Sequence, residues 1–380
     1  MPAAWRWSTW NEPRCSALCR PVSASKPSPF IEANMTDWIK AAHDATYIVP
    51  GFTFADGGEL DLRLHYRTLG VLARDRSNAV LMLHGTTGGG GQFLQPSTAD
   101  FLFAAGQPLD AGKYFIILPD AIGHGGSSKP SDGLETAFPR YCYADIVEAQ
   151  LRLVTERLGL ERLRLVLGTS MGGMQTWMWG ERYPEMMDAL LPIASLPERV
   201  GGRNLLWRRL LIKIIQLGED ERRGASTRQP PSLGLAWNLF ELMVGSPARL
   251  TTEFARPGDA DSHIQSVAEE ALKVEKANDV IWEFDASRDY DPSAGLGLIQ
   301  APLLAVNFAD DELNPVELGG LERAIALVKW GHAVTLPVGP KSRGHQTLRM
   351  AEIWQDYVRQ LLHQTEASAL KQSPRGNECG

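Results

Sequence analysis

The sequence contains little cysteine, and what it has is scattered. There are four cysteines in 380 residues, and three of them (Cys15, Cys19 and Cys379) lie in the end segments, far from Cys142. None forms a metal-ligand grouping with histidine. The pattern therefore predicts reduced thiols, no metal and a cytoplasmic protein. A metal or disulfide pair at Cys15 and Cys19 is the alternative, which the poorly patterned sequence around them does not favour.

Long apolar runs and excess positive charge are also missing. No stretch approaches the roughly 18 uninterrupted apolar residues that a membrane span needs. The net charge of -7 argues against a nucleic acid or an anionic membrane as a partner. With 44% hydrophobic and 22% charged residues, a chain of 380 residues is long enough for one large α/β domain with an insertion.

Both ends of the chain lack periodicity. Residues 1–34 are rich in Pro, Ser, Arg and Trp and have no apolar segment of the kind found in a secretory signal. We expect residues 1–45 to form a disordered N-terminal extension, and Met35 is a candidate for the physiological start. Residues 365–380 are polar, and we expect them to form a loose C-terminal tail.

Strand and helix patterns alternate through the rest of the chain. Two alternating segments, Tyr47–Phe54 and Leu60–Tyr66, predict an antiparallel edge hairpin. Short apolar runs typical of strands buried on both faces follow at Ala79–Leu83, Tyr114–Leu118, Leu163–Leu167, Ala189–Ile193, Leu303–Val306 and Ala333–Leu336. Helical patterns separate them at Asp145–Leu158, Met171–Tyr183, Pro315–Lys329 and Gln346–Leu362. This alternation predicts a mostly parallel, doubly wound sheet formed by residues 46–194 and 296–364.

The alternation stops at residues 195–295, which contain no strand pattern of comparable quality. Helical stretches at Trp207–Leu217, Leu233–Val244 and Ile264–Ala277 predict a helical cap inserted into the sheet domain. The first stretch is amphipathic and basic. A helix on a membrane surface is the alternative for it, but a cap helix is favoured in an acidic protein. The apolar cap helices also make a homodimer plausible.

A candidate nucleophile lies on a glycine-rich turn. An apolar run enters Gly168-Thr169-Ser170-Met171-Gly172, and a helical pattern follows at once. Gly-x-Ser-x-Gly between a buried strand and a helix is typical of a turn that holds a serine hydroxyl clear of the backbone. An ordinary glycine-rich turn is the alternative. A catalytic Ser170 would need a base, an acid and an oxyanion hole from elsewhere in the chain.

Candidates for the acid and the base follow later strands. Asp310 and Asp311 come just after an apolar strand, where side chains face the crevice at the carboxyl edge of a parallel sheet. Capping of the next helix is the alternative role for Asp311. Among eight histidines, His345 lies past the last strand and completes the order serine, acid, histidine. His124 precedes the serine, and we do not favour a catalytic role for it.

Two backbone N–H groups are candidates for the oxyanion hole. One belongs to Met171, at a helix N-terminus where the dipole favours negative charge. The other comes from the glycine-rich loop at residues 84–91, in which Thr86 is the favoured donor. A phosphate-binding loop is the rival interpretation, but the loop has neither Gly-Lys-Ser/Thr nor the Gly-x-Gly-x-x-Gly spacing. Residues 120–130 form a further loop that we expect to border the site.

From Gly51 to Leu362 the chain resembles the α/β-hydrolase superfamily and, within it, the homoserine O-acetyltransferase-like family and its esterase relatives. The resemblance is carried by Gly168–Gln175, by Asp145–Gln150 in the preceding helix, by Asp311-x-Leu313-x-Pro315 and by Gly344-His345. It implies an α/β-hydrolase fold with a triad of Ser170, Asp311 and His345. The Asp-x-Leu-x-Pro match selects Asp311 over Asp310.

The chain departs from the homoserine enzymes where the acyl acceptor would bind. In those enzymes an aspartate follows the catalytic histidine and resembles a clamp for ammonium, whereas this chain has Gln346. Their Arg- and Tyr-rich cap helix, which receives the carboxylate, corresponds here to the mostly apolar Leu233–Val244, which has no arginine. A buried charged hydrogen bond is worth about 1.5–3 kcal/mol, so these changes favour water or a less polar alcohol as the acceptor.

We therefore expect a serine esterase that hydrolyses small, acetate-type esters through an acyl-enzyme on Ser170, without a cofactor. The alternative is an O-acetyltransferase that uses the same triad to move acetyl from acetyl-CoA to a hydroxyl acceptor. A non-catalytic binding protein with a hydrolase fold is a third possibility, which the complete set of candidate residues disfavours. The expected partner is a small-molecule ester, or acetyl-CoA under the alternative.

Overall fold

The structure is a computed structural model that describes residues 37–220 and 229–372. Its centre is an eight-stranded sheet with the strand order β1-β2-β4-β3-β5-β6-β7-β8. The strands are β1 (His43–Thr53), β2 (Glu59–Leu69), β3 (Ala79–Leu83), β4 (Phe115–Pro119), β5 (Leu165–Thr169), β6 (Leu190–Ile193), β7 (Leu303–Phe308) and β8 (Gly331–Leu336). The β1–β2 and β2–β4 pairs are antiparallel, and the other pairs are parallel. The predicted edge hairpin and the mostly parallel sheet are confirmed.

Helices cover both faces of this sheet. They are α1 (Trp38–Ala41), α2 (Pro96–Leu102), α3 (Tyr143–Arg152), α4 (Met171–Arg182), α5 (Gly202–Asp220), α6 (Ser232–Val244), α7 (Pro247–Glu253), α8 (Pro257–Val274), α9 (Ala277–Asp285), α10 (Gly320–Ile325) and α11 (Ala351–Gln372). Alternate residues of a strand point to opposite faces. Accordingly, Val80 and Met82 join a buried cluster with α2 and α11, whereas Leu81 and Leu83 join one with α3 and α4.

Helices α5 to α9 lie between β6 and β7 in the chain, within residues 195–295. Helix α5 packs against α6 and α9, and α6 packs against α8. Their buried side chains are continuous with the cluster on the α3 and α4 face of the sheet. The division of the chain into a core and a cap insertion at the predicted bounds stays a prediction.

Three expectations about elements are wrong. The predicted disordered extension at residues 1–45 is too long, because α1 and the start of β1 occupy Trp38–Ala45, while residues 1–36 lie outside the described part. The predicted loose tail begins too early, because α11 continues to Gln372. The helix predicted at Pro315–Lys329 is reduced to α10, because Gly319 takes a left-handed conformation (φ 61°) and separates it from a short 3₁₀ turn.

Cys142 is a free, buried thiol, and burial raises its pKa to about 11. Cys15, Cys19 and Cys379 lie outside the described residues. Across residues 37–220 and 229–372, no group of three or more His, Cys, Asp or Glu side chains is placed to hold a metal ion. No helix in the same ranges is both long and apolar enough to cross a membrane.

Substitution of Trp38 tests whether α1 belongs to the folded core. Its indole Nε1–H donates to Asp100 Oδ1 at 2.6 Å, and its ring packs edge-on against Phe103. Removing a large buried aromatic side chain costs about 3 kcal/mol, so Trp38→Ala should lower the free energy of unfolding by that order in urea denaturation. The matched control is Ile39→Ala, because Ile39 is exposed. Equal, small effects of the two substitutions would contradict the assignment.

Candidate active site

Ser170 lies on the sharp turn between β5 and α4. Its backbone has φ 54° and ψ -116°, a strained conformation for a residue with a side chain. A Cβ on Gly172 would lie 2.0 Å from the carbonyl oxygen of Leu83, and one on Gly168 would lie 2.0 Å from that of Gly172. Glycine is therefore required at both positions. The Ser170 N–H donates to the Ile193 carbonyl at 2.9 Å, which helps to hold the turn against the sheet.

The three residues predicted as a triad lie within hydrogen-bonding distance. His345 Nε2 is 2.7 Å from Ser170 Oγ, and His345 Nδ1 is 2.7 Å from Asp311 Oδ2. Asp311 is buried, and its carboxylate also accepts hydrogen bonds from the Leu313 N–H at 2.9 Å and from Asn314 Nδ2 at 2.8 Å. This geometry suits a nucleophile, a general base and an orienting acid. Their catalytic roles stay a prediction.

Asp310, the rejected candidate for the acid, has a different contact. Its Oδ2 accepts a hydrogen bond from the Gly344 N–H at 2.9 Å. Gly344 has φ 62°, and it immediately precedes His345. The Asp310 side chain therefore anchors the backbone of the histidine loop, while Asp311 contacts the imidazole itself. The contacts agree with the choice of Asp311 over Asp310.

The two predicted oxyanion donors flank Ser170. Met171 is the first residue of α4, so its N–H lies in the first turn, where N–H groups have no intrahelical partner. The loop after β3 approaches from the other side, since a Cβ on Gly85 would lie 3.5 Å from Ser170 Cβ. Thr86 lines the same pocket as Ser170 and His345. The arrangement can place two N–H groups near a developing oxyanion, although that role also stays a prediction.

Ser170 and His345 line a narrow pocket of about 30 Å³. Its other walls are formed by Gly85, Thr86, Thr87, Gln92, Trp207, Arg208, Phe240, Leu313, Gln346, Leu348 and Arg349. In the described part of the chain this lining includes two arginines and no acidic side chain. A larger cavity of about 890 Å³ lies elsewhere and contains neither Ser170 nor His345.

Sequence reasoning missed the part of the pocket wall that α5 supplies. The segment Leu233–Val244, predicted to face the acceptor, has no arginine, whereas Arg208 is on the preceding helix. The available signal was Trp207-Arg208-Arg209 in the amphipathic basic stretch, since one of two adjacent arginines on such a helix must point nearer to its buried face.

Buried polar side chains connect the loop after β3 with the loop after β4. His84 Nε2 accepts from the Ala121 N–H at 2.9 Å, and His124 Nε2 lies 2.7 Å from the carbonyl oxygen of Thr86. Burial lowers the pKa of His124 to about 3. His124 therefore contacts the loop that carries the predicted oxyanion donor, and it contacts neither Ser170 nor His345 in the hydrogen bonds of the described residues.

Asp120 is the centre of this connection. Its carboxylate accepts hydrogen bonds from the Gly90 N–H at 2.7 Å, from the Gly126 N–H at 2.9 Å and from His65 Nδ1 at 2.7 Å. Burial alone would raise the pKa of Asp120, but the hydrogen bonds from His65 and from these N–H groups outweigh it and lower the pKa to about 2. The same Asp120 contact raises the pKa of His65 against the opposing effect of burial.

The matches of this chain to known proteins agree on one family. Residues 78–211 match the family model of the alpha/beta hydrolase fold. The chain is 30% identical over 285 residues to a probable acyltransferase from Methanothermobacter thermautotrophicus, covering 73% of this chain and 86% of that protein. It is 38% identical over 164 residues to a homoserine O-acetyltransferase from Chlorobaculum parvum, covering 40% of this chain and 42% of that protein. The latter match thus spans less than half of the relative's length.

Solved structures with the same fold include both reaction types. An acetylester hydrolase from Corynebacterium glutamicum superimposes with a TM-score of 0.75 at 22% identity, covering 84% of this chain and 96% of that one. A homoserine O-acetyltransferase from Bacillus anthracis superimposes with a TM-score of 0.74 at 20% identity, covering 84% of this chain and 97% of that one. At this identity the likeness establishes the fold and leaves the reaction open.

Replacing Asp311 and Asp310 separately by asparagine tests which of the two carboxylates orients His345. Asp311→Asn should lower kcat by about 10³- to 10⁴-fold, because the amide would favour the wrong imidazole tautomer. Asp310→Asn is the matched control: its amide oxygen can still accept from the Gly344 N–H, so the loss should be small. The measurement is ester hydrolysis at pH 7.5. A larger loss in the Asp310 variant would reverse the assignment.

The His65–Asp120 pair should stabilise the fold within a definite pH range. Since the pKa of His65 is raised, its contribution is complete below its unfolded pKa of about 6.5 and is lost as pH rises through the folded-state value. Since the pKa of Asp120 is lowered to about 2, its contribution is present above its unfolded pKa of about 3.9 and is lost as pH falls toward 2. The pair is therefore most effective between about pH 4 and 6.5.

His65→Gln should accordingly reduce the free energy of unfolding more at pH 5 than at pH 8.5, as measured by urea denaturation. His43→Gln is the control, because His43 is an exposed residue of the same hairpin. A His65→Gln effect of the same size at both pH values would contradict the prediction.

Proposed function

Because this chain belongs to the α/β-hydrolase family, we propose that it is a serine esterase that hydrolyses small, acetate-type carboxylic esters through an acyl-enzyme. The observation that carries the proposal is the pair of 2.7 Å contacts linking Ser170 Oγ to His345 and His345 to Asp311. The two-step chemistry follows from the roles these groups can take.

Acylation begins when Ser170 Oγ attacks the ester carbonyl and His345 Nε2 takes the hydroxyl proton. Asp311 holds the Nδ1–H tautomer and stabilises the imidazolium that forms. The carbonyl oxygen, now an oxyanion, accepts hydrogen bonds from the backbone N–H groups of Met171 and Thr86. The tetrahedral intermediate collapses, the C–O bond to the alcohol breaks, and His345 gives its proton to the leaving alkoxide.

Deacylation repeats these steps with water as the nucleophile. His345 removes a proton from water, which attacks the acyl carbonyl, and the acid leaves as Ser170 recovers its proton. The charges around the pocket support water over an amino acid. In the described residues no carboxylate lines the pocket to meet an ammonium group, and the residue after the histidine is Gln346.

An O-acetyltransferase is the second candidate function. The names of the curated relatives favour it, since they include homoserine O-acetyltransferases and a probable acyltransferase. The same acyl-enzyme would serve, with acetyl-CoA as the donor and a hydroxyl compound in place of water. The two functions therefore differ only in which nucleophile takes the acyl group from Ser170.

The test separates acylation from the fate of the acyl group. The enzyme should release 4-nitrophenol from 4-nitrophenyl acetate in water, and Ser170→Ala should lower kcat by about 10⁴-fold or more with an unchanged circular dichroism spectrum. Incubation with acetyl-CoA and homoserine should give no O-acetylhomoserine by mass spectrometry. Efficient acetylhomoserine formation would instead establish the transferase, and an active Ser170→Ala protein would refute both functions.

A further inference from the structure

Two hydrogen-bond donors on α5 form part of the wall of the catalytic pocket. Trp207 and Arg208 line the same pocket as Ser170 and His345. Both are almost fully buried, with exposed fractions of 3% and 5%. Neither takes part in the proposed acyl transfer, so their presence beside the nucleophile needs a separate explanation.

The guanidinium of Arg208 is surrounded by neutral groups. Its Nε donates to Asn204 Oδ1 at 2.9 Å, and Nη1 donates to Ser287 Oγ at 3.4 Å. The guanidinium carbon lies 5.0 Å from the Trp207 ring centre and 5.7 Å from that of Phe284. These contacts orient the side chain but provide no negative charge, and no ion pair to Arg208 is found within residues 37–220 and 229–372.

The adjacent Arg209, unlike Arg208, has a carboxylate partner. Its Nη1 lies 2.6 Å from Asp285 Oδ1, so this charge is compensated by a carboxylate of α9. A buried cation without such a partner is strongly unfavourable, and an arginine keeps its charge in proteins. A guanidinium carries five N–H donors, so donors remain after the contacts with Asn204, Ser287 and the Tyr143 hydroxyl are counted.

A second donor in this wall is also unsatisfied. The indole Nε1–H of Trp207 is buried and has no acceptor among the described residues. Buried N–H groups are normally hydrogen-bonded, and Trp207 lines the catalytic pocket, so this N–H is a candidate donor to a ligand oxygen. The Trp207 N–H and the Arg208 guanidinium both require an acceptor, and the guanidinium requires a negative charge.

We infer that Trp207 and Arg208 form a carboxylate-binding subsite, and that the preferred substrates are small esters that also carry a carboxylate group. This inference rests on the proposed esterase function. A planar carboxylate matches the fork of a guanidinium and is small enough for a narrow pocket. A zwitterionic amino acid fits less well, since no acidic side chain of the described residues lines the pocket to pair with its ammonium.

The carboxylate could be part of the acyl group or of the alcohol, and three phenyl esters distinguish these sources. Phenyl acetate is the neutral reference. Monophenyl succinate carries the carboxylate on the acyl side, and 4-acetoxybenzoate carries it on the alcohol side. Comparing each variant with the wild type on the same ester cancels the intrinsic reactivity of that ester.

Arg208→Met should lower kcat/KM by about 10- to 100-fold for one of the two charged esters, as expected for the loss of a charged hydrogen bond. The change on phenyl acetate should stay within about threefold. Arg208→Lys should recover part of the loss, because it restores the charge without the fork. Trp207→Phe, which keeps the ring and removes the N–H, should reduce kcat/KM selectively for the same charged ester.

Arg209→Met is the matched control on the same helix. It should affect the three esters equally, because Asp285 retains its contacts with Arg140 and Arg288. The subsite is refuted if Arg208→Met lowers activity on all three esters alike, or if Arg208→Met and Trp207→Phe both leave the charged esters unaffected. The first result would assign Arg208 a purely structural role.

Binding provides a readout independent of turnover. Succinate should raise the melting temperature of the Ser170→Ala protein and should not raise that of the Ser170→Ala, Arg208→Met protein. If phenyl acetate is hydrolysed through Ser170 while succinate binds both proteins equally, the subsite fails and the esterase function stands. If Ser170 is never acylated but succinate binding depends on Arg208, the esterase function fails and the anion site stands.

Discussion

The site depends on a close backbone contact between the Ser170 turn and β3. Only glycine fits where Gly172 meets the carbonyl oxygen of Leu83, because an added Cβ would come within 2.0 Å of it. The contact fixes the first turn of α4 against the end of β3. It therefore sets the relative positions of the Ser170 hydroxyl, the Met171 N–H and the loop that carries Thr86. Mutual placement of this kind is what preorganised stabilisation of an oxyanion requires.

The fold and the triad geometry could be predicted because they depend on local and strictly ordered features. An apolar run such as Leu165–Leu167 indicates a strand buried on both faces, and the structure buries all three side chains. In a parallel sheet such strands end at the same edge, so residues following β5, β7 and β8 must meet there. His345 could be selected because it follows Ser170 and Asp311 in the chain and also lies just past the last strand.

Features that depend on distant partners could not be predicted. Trp38 lies next to a segment without periodicity, and its burial depends on Asp100 and Phe103, more than sixty residues further along the chain. Arg208 and Arg209 are adjacent and chemically identical, yet only Arg209 meets Asp285, which is 76 residues away. No local pattern states which of two neighbouring arginines will be neutralised. The basic stretch indicates that an arginine can lie near the buried face of α5, but it does not indicate that this arginine lacks a carboxylate partner. The prediction of water or a less polar alcohol as the acceptor therefore did not include Arg208.

Helix α5, which carries the unneutralised Arg208, is held in place by a network of ion pairs. Asp285 at the end of α9 contacts Arg140, Arg209 and Arg288, and the Arg140 guanidinium lies 4.5 Å from the Trp282 ring centre. These contacts connect α5 and α9 to the loop preceding α3, so that α5 is attached to the sheet domain on the side where it meets the pocket. A rigid attachment lowers the entropic cost of presenting a charge to a ligand. Because Arg209 of α5 belongs to this network, one helix carries both a structural ion pair and the charge that we propose for substrate recognition.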